Sequence, residues 1–298
     1  MDGQLWTDGH PQPGAAWSTV ARVTTGESPV PSTAPVPGPG SPDVTSAATA
    51  PAMQLTGLWK RFGQKVAVAD LSLTVPAGSF FGMVGPNGAG KTTSLSIATG
   101  LLRPDAGSVR LLGHDLWSDP PAAKRLVGAL PDGVKLFDRL SGRELITYNG
   151  LLRGLDRATV DDRAGRLLAA LGLDEAGNTL VVDYSAGMTK KVALACALIH
   201  GPRLLLLDEP FEAVDPVSAA TIRAILHEVV AGGGTVVMSS HVMELVERLC
   251  DHVAIVHAGR VIAAGALDDV RAGSSLEQRF VQAVGAPTTT VDLSWLHS

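Results

Sequence analysis

Runs of apolar residues recur along most of this chain, separated by stretches whose apolar positions repeat at helical spacing. Short apolar runs rich in Val, Ile and Leu are typical of buried strands, whereas repeats at helical spacing predict amphipathic helices. On this basis we predict strands at 53–58, 66–75, 79–84, 109–112, 127–130, 203–207, 235–238, 253–256 and 261–264.

Helices are predicted between many of these strands, most clearly where polar capping residues precede the apolar pattern. The predicted helices cover 93–98, 141–153, 161–171, 186–200, 217–230 and 242–249. Ser141 followed by Glu144 forms a capping box, which marks the start of a helix. The Ala258-Gly259 pair between the last two strands indicates a hairpin. Alternating strands and helices predict an α/β fold with a largely parallel sheet.

The first 51 residues differ in composition from the rest of the chain. They hold nine of the 19 prolines, among many Ser, Thr, Ala and Gly residues. Such a segment has too little apolar surface to offset the entropy cost of folding. We therefore predict a disordered tail at 1–51, one folded domain without internal repeats at 52–285, and a C-terminal tail at 286–298.

The overall composition limits the kinds of partner. The net charge of −5 and the pI near 5.9 argue against a nucleic-acid surface, because such surfaces are usually basic. No apolar stretch reaches the ~18 residues of a membrane-spanning helix. The two cysteines, Cys196 and Cys250, lie in apolar helical patterns without the spacing of metal ligands. We expect two reduced core thiols in a cytoplasmic protein.

Residues 85–92 read Gly-Pro-Asn-Gly-Ala-Gly-Lys-Thr, which is a complete phosphate-binding loop between a predicted strand and a predicted helix. Its glycines let backbone N–H groups approach a phosphate closely. Lys91 can then reach the β- and γ-phosphates of a nucleotide, and the Thr92 hydroxyl can bind Mg²⁺. The predicted ATP-binding residues here are Gly85, Pro86, Asn87, Gly88, Ala89, Gly90, Lys91, Thr92 and Thr93.

Two carboxylates follow a run of four leucines at 204–207. Ligands of open α/β sheets bind at the carboxyl ends of strands. Asp208 is therefore a candidate Mg²⁺ ligand, and Glu209 is a candidate general base for an attacking water. Alone, the pair could also be a solvated acidic turn; the phosphate-binding loop favours the catalytic interpretation.

Two further segments carry candidate chemistry. Ser185, Ala186, Gly187 and Met188 open a predicted helix, where a serine N-cap and free N–H groups can bind an anion. By itself this segment is also consistent with a simple capped helix. His241 follows the predicted strand at 235–238, so it should lie beside the nucleotide and could contact the γ-phosphate.

Together, in this order, the motifs resemble the ATP-binding subunits of ATP-binding-cassette (ABC) transporters, over about 53–285. The signature form Tyr-Ser-x-Gly-Met and the segment 275–280 are similar to those of bacterial drug and antibiotic exporters. The resemblance implies a P-loop NTPase core with a mostly parallel sheet. It also implies an N-terminal antiparallel β portion and a helical subdomain inserted at about 141–183.

The resemblance implies roles for individual residues. Phe62 matches an aromatic that stacks on adenine, although Trp59 is a competitor and a core aromatic is an alternative. Asp215 matches an acidic residue that communicates across a dimer. Residues 185–188 match the signature that contacts ATP held by the opposite protomer. Asp132 occupies a position usually filled by Gln and could meet Mg²⁺. Lys91, Glu209 and His241 match the hydrolytic core.

The resemblance further implies a function and partners. ATP and Mg²⁺ would be the cofactors of a head-to-tail homodimer or paralogue heterodimer. Its clamping would drive an integral membrane permease, with the chain on the inner face of the cell membrane and no nucleic acid bound. The segments 141–183 and 132–138 are expected to form the docking groove for the permease.

Three departures from the family pattern leave alternatives open. Asp132 replaces a neutral amide, Ala186 replaces the first signature glycine, and Glu212-Ala213-Val214 replaces the usual Ser-Gly-Leu. They motivate one alternative, a nucleotide-dependent regulator with low turnover. A soluble ABC-type ATPase acting on ribosomes or DNA is another, disfavoured by the acidic pI and by the lack of tandem domains. A small-molecule P-loop kinase would leave the signature and His241 unexplained.

Overall fold

The computed structural model describes residues 50–133 and 135–285, in which strands and helices alternate after an initial β portion. The strands are β1 (Met53–Phe62), β2 (Lys65–Val75), β3 (Phe80–Val84), β4 (Ala106–Leu111), β5 (His114–Asp115), β6 (Val127–Leu130), β7 (Leu204–Leu207), β8 (Thr235–Ser240), β9 (His252–His257) and β10 (Arg260–Ala266). The helices are α1 (Lys91–Ala98), α2 (Pro120–Arg125), α3 (Gly142–Leu152), α4 (Arg157–Ala170), α5 (Ala186–Leu198), α6 (Pro216–Ala231), α7 (Met243–Leu249), α8 (Leu267–Arg271) and α9 (Leu276–Val284), with one 3-10 turn at Val181–Asp183.

A six-stranded sheet forms the centre of the fold, in the order β10-β9-β3-β8-β7-β6. Its strands from β9 to β6 run parallel, and only β10 is antiparallel. β3, β7 and β8 are buried along their whole length, as expected for a parallel sheet covered on both faces. The prediction of a mostly parallel α/β sheet is confirmed.

A second, four-stranded sheet has the order β2-β1-β4-β5 and is antiparallel throughout. β2 alternates buried and exposed residues from Ala69 to Val75, which is typical of a strand with one face on the core. Its buried side chains share a hydrophobic cluster with α1 and with Phe81 and Met83 of β3. The antiparallel β portion therefore holds the helix that follows the phosphate-binding loop.

The segment between β6 and β7 is helical, as predicted. Ser141 and Glu144 form the predicted capping box at the start of α3. α4 begins at Arg157, four residues earlier than the predicted start, because the side chain of Asp156 caps its first turn by accepting from the N–H of Thr159. α3, α4 and α5 bury Leu145, Ile146, Leu168 and other side chains in the second hydrophobic cluster.

Several boundaries differ from the predictions. β4 begins at Ala106 rather than at residue 109, because the exposed residues before Val109 still pair with β1. The short elements β5, α2 and α8 carry too few residues to show a periodic pattern, and the predictions missed them. The predicted tails 1–51 and 286–298 lie outside the described residues except for Ala50 and Pro51. In the part of the chain that is described, no helix has the length and apolar character needed to cross a bilayer.

Candidate functional site

The phosphate-binding loop lies between the end of β3 and the start of α1, as its sequence predicts. Gly85 is essential sterically, because a Cβ there would lie 2.1 Å from the carbonyl oxygen of Val256. Gly90 adopts φ +105°, and a Cβ on it would lie 2.6 Å from the carbonyl oxygen of Ala67. Such positions favour glycine, since other residues lose energy in this backbone region. The loop is thus shaped by its contacts with β2 and β9.

The turn between β9 and β10 touches both the loop and the four-stranded sheet. Gly259 donates its N–H to the carbonyl of Ala89 at 2.8 Å and accepts from the N–H of Ala69 at 2.9 Å. Ala258 and Gly259 both have positive φ, 48° and 76°, as a two-residue hairpin turn requires. The predicted hairpin is confirmed, and it also fixes the phosphate-binding loop.

Lys91 is the buried cation of the loop, with only 6% of its side chain exposed. Its Nζ donates to the carbonyl of Gly85 at 2.7 Å and lies 3.7 Å from Oε1 of Glu209. Burial lowers the pKa of Lys91, while the charges of Glu209 and Asp208 oppose that shift. A triphosphate would add further negative charge beside this buried ammonium and so favour its charged form.

Asp208 and Glu209 follow β7, as the leucine run predicts, but they face different surroundings. Asp208 is 3% exposed and accepts a hydrogen bond from the hydroxyl of Ser239 at the end of β8. The same Ser239 oxygen accepts from the N–H of Glu209 at 3.0 Å. One serine on the neighbouring strand therefore holds both acids.

The carboxylate of Glu209 lies between the ammonium of Lys91 and the imidazole of His241. Its Oε2 lies 3.1 Å from Nδ1 of His241, and its Oε1 faces Lys91. Glu209 has a positive φ of 45°, which is unusual for a residue other than glycine. Its carbonyl accepts from Nζ of Lys190 on α5 at 3.1 Å. Lys91, Glu209 and His241 are thus brought together, as predicted.

A cavity of about 350 Å³ lies above these groups. Most predicted residues of the loop line it, together with Glu209, His241 and Asp132. Gly85, Pro86 and the buried Asp208 are not among the lining residues. The prediction missed Lys65, Ala67 and Glu212. Lys65 and Ala67 come from β2 and carry no motif signal, and Glu212 stands out in the sequence only as a departure from the family pattern. The lining residues are Lys65, Ala67, Asn87, Gly88, Ala89, Gly90, Lys91, Thr92, Thr93, Asp132, Glu209, Glu212 and His241.

The donor set at the loop is suited to a small, hard cation. Mg²⁺ prefers oxygen ligands, keeps several waters and usually binds one or two carboxylates together with phosphates. Thr92 offers a hydroxyl at the cavity, and the buried Asp208, next to Glu209 in the chain, offers a carboxylate. No group of three His, Cys, Asp or Glu side chains among the described residues could hold a metal ion by itself. The residues therefore fit an Mg²⁺ ion that arrives with a nucleotide.

Residues 185–188 lie at the start of α5, and none of them is among the residues that line this cavity. Ser185 caps the helix by accepting from the N–H of Met188 at 3.2 Å. Gly187 is packed tightly, because a Cβ on it would lie 2.7 Å from Oδ2 of Asp215 and 2.8 Å from the hydroxyl of Ser218. The methyl group of Ala186 is exposed.

Asp215 caps α6 by accepting from the N–H groups of Val217 and Ser218. These hydrogen bonds lower the pKa of its carboxyl group, with Ser218 as the largest cause. Because the Asp215 carboxylate leaves no room for a Cβ on Gly187, the start of α5 packs directly against the start of α6. The interpretation of Asp215 as a communicating residue stays a prediction.

The two candidate adenine-stacking aromatics lie on β1. Phe62 is 50% exposed and pairs in register with Lys65, which lines the cavity. Trp59 is 40% exposed and pairs with Ala69, further along β2. Phe62 is therefore the better placed of the two beside the cavity, and neither is a core residue.

A groove of about 220 Å³, here called the docking groove, opens between the end of β6, α3 and α5. Phe137 at its edge is 59% exposed and packs edge-on against Tyr148 at 5.7 Å between ring centres. The lining residues are Ala129, Leu130, Pro131, Lys135, Leu136, Phe137, Leu145, Asn149, Arg153, Ala193, Cys196 and Ala197. α4, which the prediction included, does not contribute.

The two cysteines lie in apolar surroundings, as predicted from their patterns, and both are free thiols. Burial raises the pKa of the Cys196 thiol to about 12 and also raises the pKa of Cys250. Thiols of such high pKa are protonated and unreactive at neutral pH. Neither lines the cavity at the phosphate-binding loop; Cys250 lies in the core, and Cys196 lines the docking groove.

Comparison with known proteins gives consistent results. Residues 68–212 match the family model described as ABC transporter. The chain is 38% identical over 221 residues to the daunorubicin resistance ATP-binding protein of Streptomyces coeruleorubidus, covering 74% of this chain and 70% of that protein. It is 37% identical over 218 residues to a Nod factor export ATP-binding protein of Cupriavidus pinatubonensis, covering 73% and 67%.

Solved structures show the same similarity in three dimensions. The chain superposes on a structure described as the ATP-binding subunit of an ABC transporter with a TM-score of 0.73 and 29% identity. That match covers 78% of this chain and 99% of the other.

Proposed function

This chain belongs to the ATP-binding proteins of the ABC transporter family, and we propose that it is the ATP-hydrolysing subunit of an exporter whose membrane channel is a separate chain. Relatives named for drug resistance and for Nod factor export support export as the direction of transport. The observation that carries the proposal is the meeting of Lys91, Glu209 and His241 at the phosphate-binding loop.

In the proposed reaction the loop binds the triphosphate of ATP and Glu209 activates a water. Lys91 exchanges its bond to the Gly85 carbonyl for the β- and γ-phosphates, which neutralises charge in the transition state. Glu209 accepts a proton from the water as its oxygen bonds to the γ-phosphorus and the bond to ADP breaks. His241 holds the Glu209 carboxylate. Mg²⁺, when bound by Thr92 and Asp208, would neutralise charge on the phosphates, with Asp132 as a further candidate ligand.

A second copy, or a paralogue, completes the site in this proposal. The segment 185–188 belongs to a helix start that can bind an anion, but it is not among the residues that line its own cavity. A head-to-tail arrangement would bring the signature of one protomer onto the nucleotide of the other. Asp215, packed against Gly187, would then register the partner's nucleotide.

The membrane partner is proposed to dock in the docking groove. Most of its lining residues are apolar, although Lys135, Asn149 and Arg153 also contribute, and Phe137 at its edge is 59% exposed. Exposed apolar patches of this kind favour a protein partner. The chain would thus act on the inner face of the cell membrane, held there by an integral membrane permease. We expect no nucleic acid among its partners.

The proposal predicts different outcomes for two substitutions in the purified full-length chain. Glu209→Gln should keep ATP binding but lower turnover by about 100-fold or more, because the amide cannot accept the proton of water. Lys91→Ala should weaken ATP binding itself. Equilibrium binding of labelled ATP and release of phosphate measure the two effects separately.

An exposed acid away from the cavity provides a control for the first substitution. Glu175→Gln makes the same chemical change on the helical segment and should leave turnover at the wild-type rate. If Glu209→Gln hydrolysed ATP at the wild-type rate, the assignment of the general base would be wrong. A folded wild-type chain without affinity for ATP would overturn the proposed function itself.

A further inference from the structure

Lys190 lies between two groups of the proposed site, although no motif gives it a role. It is on α5, and its Nζ donates to the carbonyl oxygen of Glu209 at 3.1 Å. The same Nζ lies 4.0 Å from Oδ1 of Asp132, and 19% of the Lys190 side chain is exposed. We propose that Lys190 is a positioning residue that holds Glu209 for catalysis and that Asp132 competes for its charge.

The backbone of Glu209 needs this support because its conformation is unfavourable. A positive φ of 45° costs energy in a residue with a Cβ. The N–H of Glu209 donates to Ser239 on β8, and its carbonyl accepts from Lys190 on α5. The strained peptide is therefore anchored from both sides. The hydrogen bond from a charged group is the stronger kind, so loss of Lys190 should let the carboxylate drift from His241.

Asp132 is the competing partner because its distance from Lys190 lies just outside hydrogen-bond range. The attraction between the two charges grows as the distance falls, so a small shift of Asp132 would draw Lys190 away from Glu209. Pro131, the preceding residue, lines the docking groove. A partner segment in that groove thus acts one residue from Asp132. This inference rests on the proposed function. It describes how a partner bound in the groove would affect the general base, through Asp132 and Lys190.

An ordinary surface ion pair would behave differently. Exposed pairs contribute little and are screened by salt, so removing Lys190 as a mere surface charge would leave turnover unchanged. The hydrogen bond to Glu209 instead predicts an effect on the chemical step. The informative measurement is therefore whether loss of Lys190 lowers kcat while KM for ATP stays unchanged.

The test compares Lys190 variants of the full-length chain in steady-state ATP hydrolysis. Lys190→Met and Lys190→Gln should each lower kcat about tenfold, since a hydrogen bond from a charged donor is lost. KM for ATP should stay within about twofold, because Lys190 does not bind the nucleotide. Lys190→Arg keeps the charged donors and should recover most of the activity. Lys124→Met is the matched control, since it removes a lysine contact to the carbonyl of Gly100 on the surface, and it should match wild type.

Competition with Asp132 is tested by a double-mutant cycle. Because Asp132→Asn frees Lys190 for Glu209, its effect on kcat should be more favourable with Lys190 present than in the Lys190→Met background, whereas an effect through Mg²⁺ would be the same in both. Equal effects in both backgrounds would overturn the competition. Wild-type kcat in Lys190→Met and Lys190→Gln, or an arginine variant as slow as methionine, would overturn the positioning role.

These results separate the inference from the function on which it rests. If wild type hydrolyses ATP and Glu209→Gln does not, while Lys190→Met matches wild type, only the role of Lys190 fails. If the wild-type chain itself does not turn over ATP, both are overturned.

Discussion

At the scale of single residues, the site depends on a few side chains held by neighbours from other elements. Ser239 contacts both acids that follow β7, and Lys190 contacts the carbonyl of Glu209. The motifs identified Lys91, Asp208 and Glu209, because their spacing is fixed by the phosphate chemistry. They could not identify Ser239 or Lys190, because the contacts of these residues join parts of the chain that are far apart in sequence.

His200 gives the stability of the chain a dependence on pH. Its pKa is lowered from 6.5 to about 4, chiefly by burial and further by the charges of Arg153 and Arg163. The unfolded chain therefore binds a proton at higher pH than the folded chain does. The contribution of His200 to stability should be complete above pH 6.5 and should fall as the pH drops towards 4.

Urea unfolding at several pH values checks this prediction. His200→Gln should flatten the loss of stability between pH 6.5 and 4 relative to wild type, whereas His114→Gln, at an exposed histidine, should leave the slope intact. An identical slope in wild type and His200→Gln would contradict the assignment.

At the scale of helices and strands, most elements could be predicted because their burial follows a regular period. The strand before the phosphate-binding loop, β3, and the leucine strand β7 are buried throughout, so an apolar run was sufficient to find them. β5 and α2 are short and stabilised by local contacts, such as the cap of Asp119 on α2. The sheet order, which brings β7 beside β8 and β3 beside β9, is a long-range property that periodicity does not contain.

Two glycines inside helices should respond in opposite ways to alanine. A Cβ on Gly165 of α4 meets nothing within 4 Å, so Gly165→Ala should raise the free energy of unfolding by about 0.5–1 kcal/mol through helix propensity. A Cβ on Gly150 of α3 would lie 2.8 Å from Cγ2 of Val160 and 3.1 Å from Cγ1 of Ile199. Gly150→Ala should therefore destabilise the chain by about 1–3 kcal/mol through overpacking.

Chemical denaturation of both variants measures these changes, with each glycine serving as the other's control. Stabilisation by Gly150→Ala would mean that α3 and α4 pack less closely than the structure indicates. ATP turnover should be unaffected by Gly165→Ala, because α4 contributes no residue to the cavity.

At the scale of the whole molecule, the family and the α/β architecture predicted from the motifs are confirmed by relatives of known family and by a solved structure. The combination of motifs made this possible, because their order along the chain is specific. The surface that would form the proposed dimer could not be predicted, because the period of apolar residues shows which side chains are buried within a chain and not which chains meet.

Mixing two inactive variants tests the proposed head-to-tail dimer. Lys91→Ala damages the phosphate-binding loop, and Ser185→Arg damages the signature. Each alone should hydrolyse ATP poorly in the presence of the membrane partner. A mixture should regain turnover, because a mixed dimer has one site with an intact loop and an intact signature.

The matched control is a mixture of Lys91→Ala with Glu209→Gln, which alter the same half of the site. It should stay inactive, because no pairing of these chains contains a complete loop and general base. Equal recovery in both mixtures would contradict the head-to-tail arrangement.

The hairpin tip at Ala258 and Gly259 has a practical consequence for anyone labelling this protein. Tight surface turns normally accept inserted peptides, and along the printed sequence this tip looks like a convenient place for a tag. Here Gly259 bonds both Ala89 of the phosphate-binding loop and Ala69 of β2, so an insertion would break the contact between the loop and the four-stranded sheet. Fluorophores and epitope tags belong elsewhere, for instance near the open glycine at 172, where a Cβ meets nothing.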